Sequence, residues 1–357
     1  MGAYNENSKN FLDWISSSLG APNNKFFRLP VLLTLSALAL FFIWRMQFSE
    51  VDVPVNKQII HVAIVLNGDV HYTRDLMEGF RTHLDELFVG TRFQAHYEHA
   101  IGSPDKANDA HNKEAFESVL SLFPKEPDYL ITIGTQVSIY ASEHYREKIP
   151  IVFLGVSSPL GSGIVESIDA DPRRGNIAGV AYGARTKDYV QFLSGAFPGK
   201  RFGYLHNPSY PQDMHLLSEI NSLKHKVKPP MSVVPIVLEK PAVTADHEEM
   251  ADIFFGRYFV STNLQALINS SNKPFVGASL YNIGKGSIAA IGSLERDLGR
   301  IAAERIIYRN LNDHVALAEI PIQWCDKPVI SLDLKSARKF GVSIDKKTIE
   351  KADFLIN

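Results

Sequence analysis

Small hydroxyl and amide side chains recur immediately after the apolar runs of this chain, a placement suited to holding a small polar molecule. Asn67, Gly68 and Asp69 follow the run Ile59–Leu66, and Thr135 and Gln136 follow Tyr129–Ile133 just past Gly134. Ser157 and Ser158 follow Ile151–Val156, while Asn207, Ser209 and Tyr210 follow Phe202–Leu205. Thr262 and Asn263 come after Phe254–Val260. Several of these residues stand where a helix begins, and the free N–H groups of a helix start attract a carboxylate or phosphate. The same residue types are also ordinary N-caps, which satisfy backbone donors with no ligand present. Any one position fits either role; a cluster at five strand ends is harder to explain by capping alone.

The apolar runs have the length and continuity of strands buried on both faces. Besides those named, Val233–Val237, Pro274–Gly277, Ser287–Ile291 and Val329–Leu332 read as strands. Amphipathic helical stretches alternate with them, at Leu76–Phe88, Glu114–Phe123, Thr186–Phe197 and Leu298–Arg309. This alternation predicts α/β architecture with parallel sheets and right-handed crossovers. So many strands exceed one compact sheet, so two doubly wound lobes are expected. In open sheets of this kind ligands bind beyond the carboxyl ends of the strands, where the polar residues cluster.

With 357 residues there is material for two cores, and a net charge of −2 with 21% charged residues is ordinary globular composition. No basic tract argues for nucleic acid. Cys325 is the only cysteine, which excludes an intrachain disulfide and a cysteine-based metal site. Between Arg28 and Arg45 lie 16 uncharged residues, LPVLLTLSALALFFIW, extended on both sides by Phe26, Phe27, Met46 and Phe48. Trp44 sits where an interfacial aromatic belongs, and Lys25 and Arg28 before the span favour a cytoplasmic N-terminus. The leader of 28 residues is too long for an ordinary signal peptide, and Ala37-Leu38-Ala39 lies inside the apolar run. The expected layout is therefore a tail over 1–25, an uncleaved transmembrane signal anchor over 26–46 and a linker over 47–58. The rest of the chain is placed outside the inner membrane.

Enzymatic and metal-binding patterns are weak. Gly284-Lys285-Gly286-Ser287 lacks the glycine and hydroxyl spacing of a phosphate loop and reads as a turn. His96, Glu98 and His99 lie on a segment whose alternation from Phe93 to Tyr97 suggests a solvated edge strand, not a ligand set. Neither a nucleophile elbow nor a His-Glu-x-x-His pair occurs, so no enzyme, cofactor or metal is expected.

Longer motifs carry a resemblance. Residues 329–356, VISLDLKSARKFGVSIDKKTIEKADFLI, combine a short strand, a helix with Leu334 and Ala337 closed by Gly341, and an Ala352-Asp353 ending. Residues 128–135 (DYLITIGT), 149–165 (IPIVFLGVSSPLGSGIV) and 175–180 (GNIAGV) follow in family order. Together they resemble the ABC-transporter substrate-binding family that includes the tryptophan-binding lipoproteins. That resemblance, over about 59–356, implies a type I periplasmic-binding-protein fold with a ligand clamped between lobes. The template assigns 59–170 plus 288–315 to the first lobe and 175–287 plus 316–357 to the second. It also implies a partner, an ABC permease or a membrane-bound sensor, and adds Tyr281 and Glu295 to the candidate ligand set. Departures from the family pattern fall in the site. Asn263 replaces an acid, Glu295 replaces a tyrosine, and Ser158 replaces the acid of an Asp-Pro pair. An aromatic amino acid therefore does not carry over as ligand. A small polar solute is the expectation; an interaction module that kept the fold without its ligand is the alternative.

Overall fold

The computed structural model describes residues 57–105, 108–208, 210–238, 245–256 and 271–357. Among them, Lys57–Asn357 form one compact unit. The tail, the anchor over 26–46 and most of the linker lie outside the described residues, within which no helix is long and apolar enough to cross a membrane.

The first sheet is parallel, with strand order β2-β1-β3-β4-β5. Its members are β1 (Gln58–Asn67), β2 (Phe93–Gly102), β3 (Tyr129–Ile133), β4 (Ile151–Val156) and β5 (Ile177–Ala181). Helices α1 (His71–Phe88), α2 (Asp109–Ser121) and α3 (Thr135–His144) alternate with them. Every residue of β3, β4 and β5 is buried, which is why the first two read as continuous apolar runs. One core, with Phe80, Ile131 and Leu298, fills one face; a second, with Phe116, Val137 and Phe153, fills the other. β2 is the edge strand anticipated from its alternation, and His96 lies 3.6 Å from Glu98 there.

The second sheet has the order β12-β11-β10-β9-β8-β6-β7. It contains β6 (Arg201–His206), β7 (Ser232–Val237), β8 (Ile253–Gly256), β9 (Phe275–Gly277), β10 (Ser287–Gly292), β11 (Val329–Asp333) and β12 (Phe354–Ile356). Its connections include α4 (Thr186–Ala196), α5 (Pro211–Leu223) and α6 (Ala245–Met250). The strand predicted over Phe254–Val260 is described only as far as Gly256. All pairings are parallel except β10 with β11. Aromatic residues Tyr189, Phe202, Tyr204 and Phe255 form much of this core.

The chain passes between the sheets three times, after β5, after β10 and before β11. These passages differ from the expected boundaries. Ile177–Ala181 pairs with β4 and extends the first sheet to residue 181, whereas Ser287–Gly292 pairs with β9 in the second. The helix expected over Leu298–Arg309 starts earlier, as α7 (Glu295–Ala302), continues as a π-turn over Ala303–Tyr308 and ends as α8 (Arg309–Asn312). Helix α7 returns to the first sheet's core and crosses α1 closely. A Cβ on Gly299 would stand 2.3 Å from the Leu76 carbonyl oxygen, so only glycine allows this approach. Past the short helices α9 (Leu334–Lys339) and α10 (Lys346–Glu350), Phe354–Ile356 forms a sheet-edge strand that the sequence reading did not anticipate.

Candidate functional site

The carboxyl ends of β1, β5, β9 and β10 meet where the first two passages cross. Tyr182, the residue after β5, places its hydroxyl 2.9 Å from Glu295 Oε1 and 3.1 Å from Ser279 Oγ. Glu295 is the first residue of α7, and Ser279 opens the 3-10 turn Leu280–Asn282 after β9. The Gly183 N–H donates to Ser293 Oγ at 3.2 Å, closing the same junction. Burial drives the Glu295 carboxyl above its ordinary value, and Asp75 adds to the rise; the Tyr182 hydroxyl bond opposes it. Burial likewise lifts the Tyr182 phenol.

Next to this junction, the 3-10 turn reaches α1 of the first sheet. Tyr281 donates its hydroxyl to Asp75 Oδ2 at 3.1 Å, and the same hydroxyl lies 2.6 Å from His71 Nδ1. His71 and Asp75 are themselves 2.8 Å apart, one helical turn along α1. Arg296 runs along the outside, 2.6 Å from Glu78 and 3.7 Å from Asp75. Tyr72 packs edge-on against Tyr182, with ring centroids 6.2 Å apart. Burial lifts the Tyr72 phenol, and a hydrogen bond with the Asn67 side chain opposes that rise.

A cavity of about 300 Å³ opens between the end of β4 and the helices α4 and α5. Ser157 and Ser158 line it from the end of β4, Arg185 from the start of α4, His215 and Glu219 from α5, and Trp324 from the third passage. The Arg185 guanidinium sits 5.1 Å above the Trp324 ring. Glu219 accepts from the Thr186 hydroxyl and lies 3.6 Å from His215. Ser158 is buried and its Oγ accepts the Gly161 N–H at 3.2 Å.

The residues singled out from the sequence divide accordingly. Tyr281 and Glu295 join the junction, and Ser157 and Ser158 join the cavity. Asn67 closes β1 with its Oδ1 buried and unpartnered, packed against Gly134, where a Cβ would collide with it at 2.4 Å. Thr135 and Gln136 open α3 beside it. Gly68, at φ +88°, turns the chain and accepts the Thr73 hydroxyl on its carbonyl. Asp69 is taken up by Arg74, two contacts at 2.5 and 2.6 Å on the exposed surface, so that carboxylate serves its neighbour. Asn207 donates its backbone N–H to Asp213 Oδ2 at 2.8 Å, and Tyr210 is the exposed N-cap residue of α5. Ser209, Thr262 and Asn263 lie outside the described residues. Tyr182, Ser279 and Asp75 were missed. Reading the Gly-Asn-Ile-Ala-Gly-Val motif as part of a strand would have pointed to Tyr182, two residues beyond it and the first after β5. Among the described residues, no group of three or more His, Cys, Asp or Glu side chains is arranged to hold a metal ion.

Two sheets joined by three passages, with polar side chains gathered at their carboxyl ends, define a type I periplasmic-binding-protein fold. Solved structures agree. An ABC domain in complex with L-Trp from Streptococcus pneumonia superposes with a TM-score of 0.66 at 14% identity, covering 84% of this chain and 100% of that one. A ligand-free, open substrate-binding protein with adhesive properties from Clostridium difficile gives 0.57 at 15%, over 84% and 99%. A type 1 periplasmic binding protein from Bordetella pertussis gives 0.51 at 14%, over 74% and 87%. The family described as ABC transporter substrate binding protein matches residues 60–355, and the chain belongs to it. No curated protein sequence matches the chain.

Proposed function

We propose that this protein is a membrane-anchored, extracytoplasmic solute-binding protein that closes its two lobes on a small polar ligand. It presents that ligand, or the closed state, to an ABC permease or a membrane sensor. The observation that carries the reading is the buried junction of Tyr182, Ser279 and Glu295, where polar groups from both sheets converge at strand carboxyl ends. Polar groups held that deep serve binding better than folding, since burial without full pairing costs free energy. A ligand with higher affinity for the closed form would shift the lobes toward it. The apolar span at 26–46 would keep the domain beside a membrane partner and raise its effective concentration there.

A thermal-shift screen of the full chain against amino acids, polyamines, sugars, nucleosides and small carboxylates tests this reading. A ligand at a hundred times its Kd should stabilise by about 2.7 kcal/mol, a shift of several degrees. One observation favours a second reading, an interaction module without a ligand. Side chains of the junction already satisfy one another, as Tyr281 does with Asp75 and His71. A flat response in every class would select it.

A further inference from the structure

The junction at the strand ends is rich in acceptors and poor in cations. Glu295 is 7% exposed, and the Tyr182 hydroxyl is the side-chain donor that meets it, on Oε1. Among the described residues no lysine, arginine or histidine nitrogen lies at ion-pair distance from its carboxylate; the neighbouring Arg296 turns outward to Glu78 and Asp75. Asp75 adds a second carboxylate from α1, where His71 and Tyr281 contact it. The end of β1 contributes a third acceptor, since Asn67 Oδ1 is buried with no hydrogen-bond partner. The Asn67 side chain also neighbours Tyr72, whose ring packs on Tyr182, so the end of β1 borders the same cluster. Aromatic faces complete it, with Tyr72 against Tyr182 and His71 against Tyr281 at 5.4 Å.

Each of these features asks for the same complement. A buried carboxylate held by neutral hydrogen bonds alone is short of a counter-charge. An orphaned amide oxygen is short of an N–H or O–H donor. Tyrosine rings attract cations through their faces. An anion would meet the repulsion of Glu295 and Asp75, and a neutral polyol would supply donors without charge. Resting on the reading of this junction as a solute site, we propose that it takes an organic cation, a primary amine or guanidine rich in N–H donors. Glu295 is its counter-charge. Entry requires the Tyr281 contact with Asp75 to part, so binding and lobe opening are coupled.

Isothermal titration of the full chain in detergent tests this with putrescine and agmatine. Matched controls are 1,4-butanediol, succinate, D-glucose and L-tryptophan. An amine or guanidine should bind, the diol at least about tenfold more weakly. Glu295→Gln keeps the shape of the side chain and should weaken the cation by about tenfold to a hundredfold. The same variant should raise the thermal midpoint of the unliganded protein at pH 8, because it removes an unpaired buried charge, and this readout shows that it folds. Equal binding of cation by wild type and Glu295→Gln overturns the proposal, as does a diol or succinate that binds as well as the amine. Binding of glucose or tryptophan alone overturns the cationic class and leaves solute binding standing. Silence from every class, with folded protein, overturns both.

Discussion

Asp213 offers a sharp test of how the second sheet holds the turn after β6. It lies in the first turn of α5, 3% exposed, and its Oδ2 accepts the Asn207 N–H at 2.8 Å. Burial pushes its carboxyl from 3.8 up to about 7, and the Asn207 hydrogen bond only partly opposes the rise. The sign follows from linkage. A carboxyl whose folded value is raised stabilises the fold relative to the ionised reference at low pH. That contribution is lost as pH climbs from 3.8 through about 7. Over that interval of 3.2 pH units (7 − 3.8), at 1.36 kcal/mol per unit, the cost above neutrality is about 4 kcal/mol. At pH 5 the interval is only 1.2 units (5 − 3.8) and the cost between about 1 and 2 kcal/mol. Asp213→Asn keeps an oxygen for the Asn207 N–H and cannot ionise. At about 2 °C per kcal/mol for a unit of this size, the thermal midpoint of Lys57–Asn357 should rise by about 8 °C at pH 8. At pH 5 it should rise by about 3 °C. Thermal scans of both proteins at the two pH values measure this directly. A gain that does not grow with pH, or a loss at pH 8, refutes the assignment of Asp213 as a buried carboxyl whose ionisation opposes folding.

Other consequences follow from particular contacts. Gly299→Ala places a Cβ 2.3 Å from the Leu76 carbonyl and 2.4 Å from the Phe80 nitrogen. It should lower stability by about 1–3 kcal/mol in urea titrations, because backbone cannot step aside like a side-chain tip. Tyr281→Phe removes the hydroxyl that joins the 3-10 turn to Asp75 and His71. The radius of gyration of the unliganded protein in X-ray scattering should increase, and an unchanged radius would mean that this contact does not hold the lobes together. Burial pushes the Cys325 thiol up to about 11. Its reaction with a thiol reagent at pH 8 should be far slower than in urea-unfolded protein, and fast labelling of the folded chain would contradict the packing around it.

Much of the architecture was legible because parallel strands buried on both faces are continuous apolar runs. Tyr129–Ile133 and Ile151–Val156 appear with their expected ends. β5 escaped because its centre is Gly179, whose missing Cβ would otherwise strike the Phe153 ring at 2.4 Å. Close packing, not β-propensity, selects that residue, so the local pattern resembles a turn. Placing Ile177–Ala181 in the wrong lobe then hid Tyr182. β12 is exposed at Phe354, Leu355 and Ile356, and three residues without a buried face carry no period to read.

Residue types and order alone determined the two-lobed α/β class, the substrate-binding family and the strand ends as the region where polar side chains collect. These are written in local sequence, as runs of apolar residues and motifs of fixed spacing. Tertiary structure decided which of those polar side chains stand together. Asp69 and Glu295 are both acids that follow a strand. Yet Asp69 meets Arg74 in solvent, while Glu295 is drawn into a junction with Tyr182, Ser279 and, across the lobes, Asp75. A side chain's charge state and partners depend on burial and on segments more than 200 residues away, as with the 206 that separate Asp75 from Tyr281. Only the path of the chain between the two sheets brings such segments together.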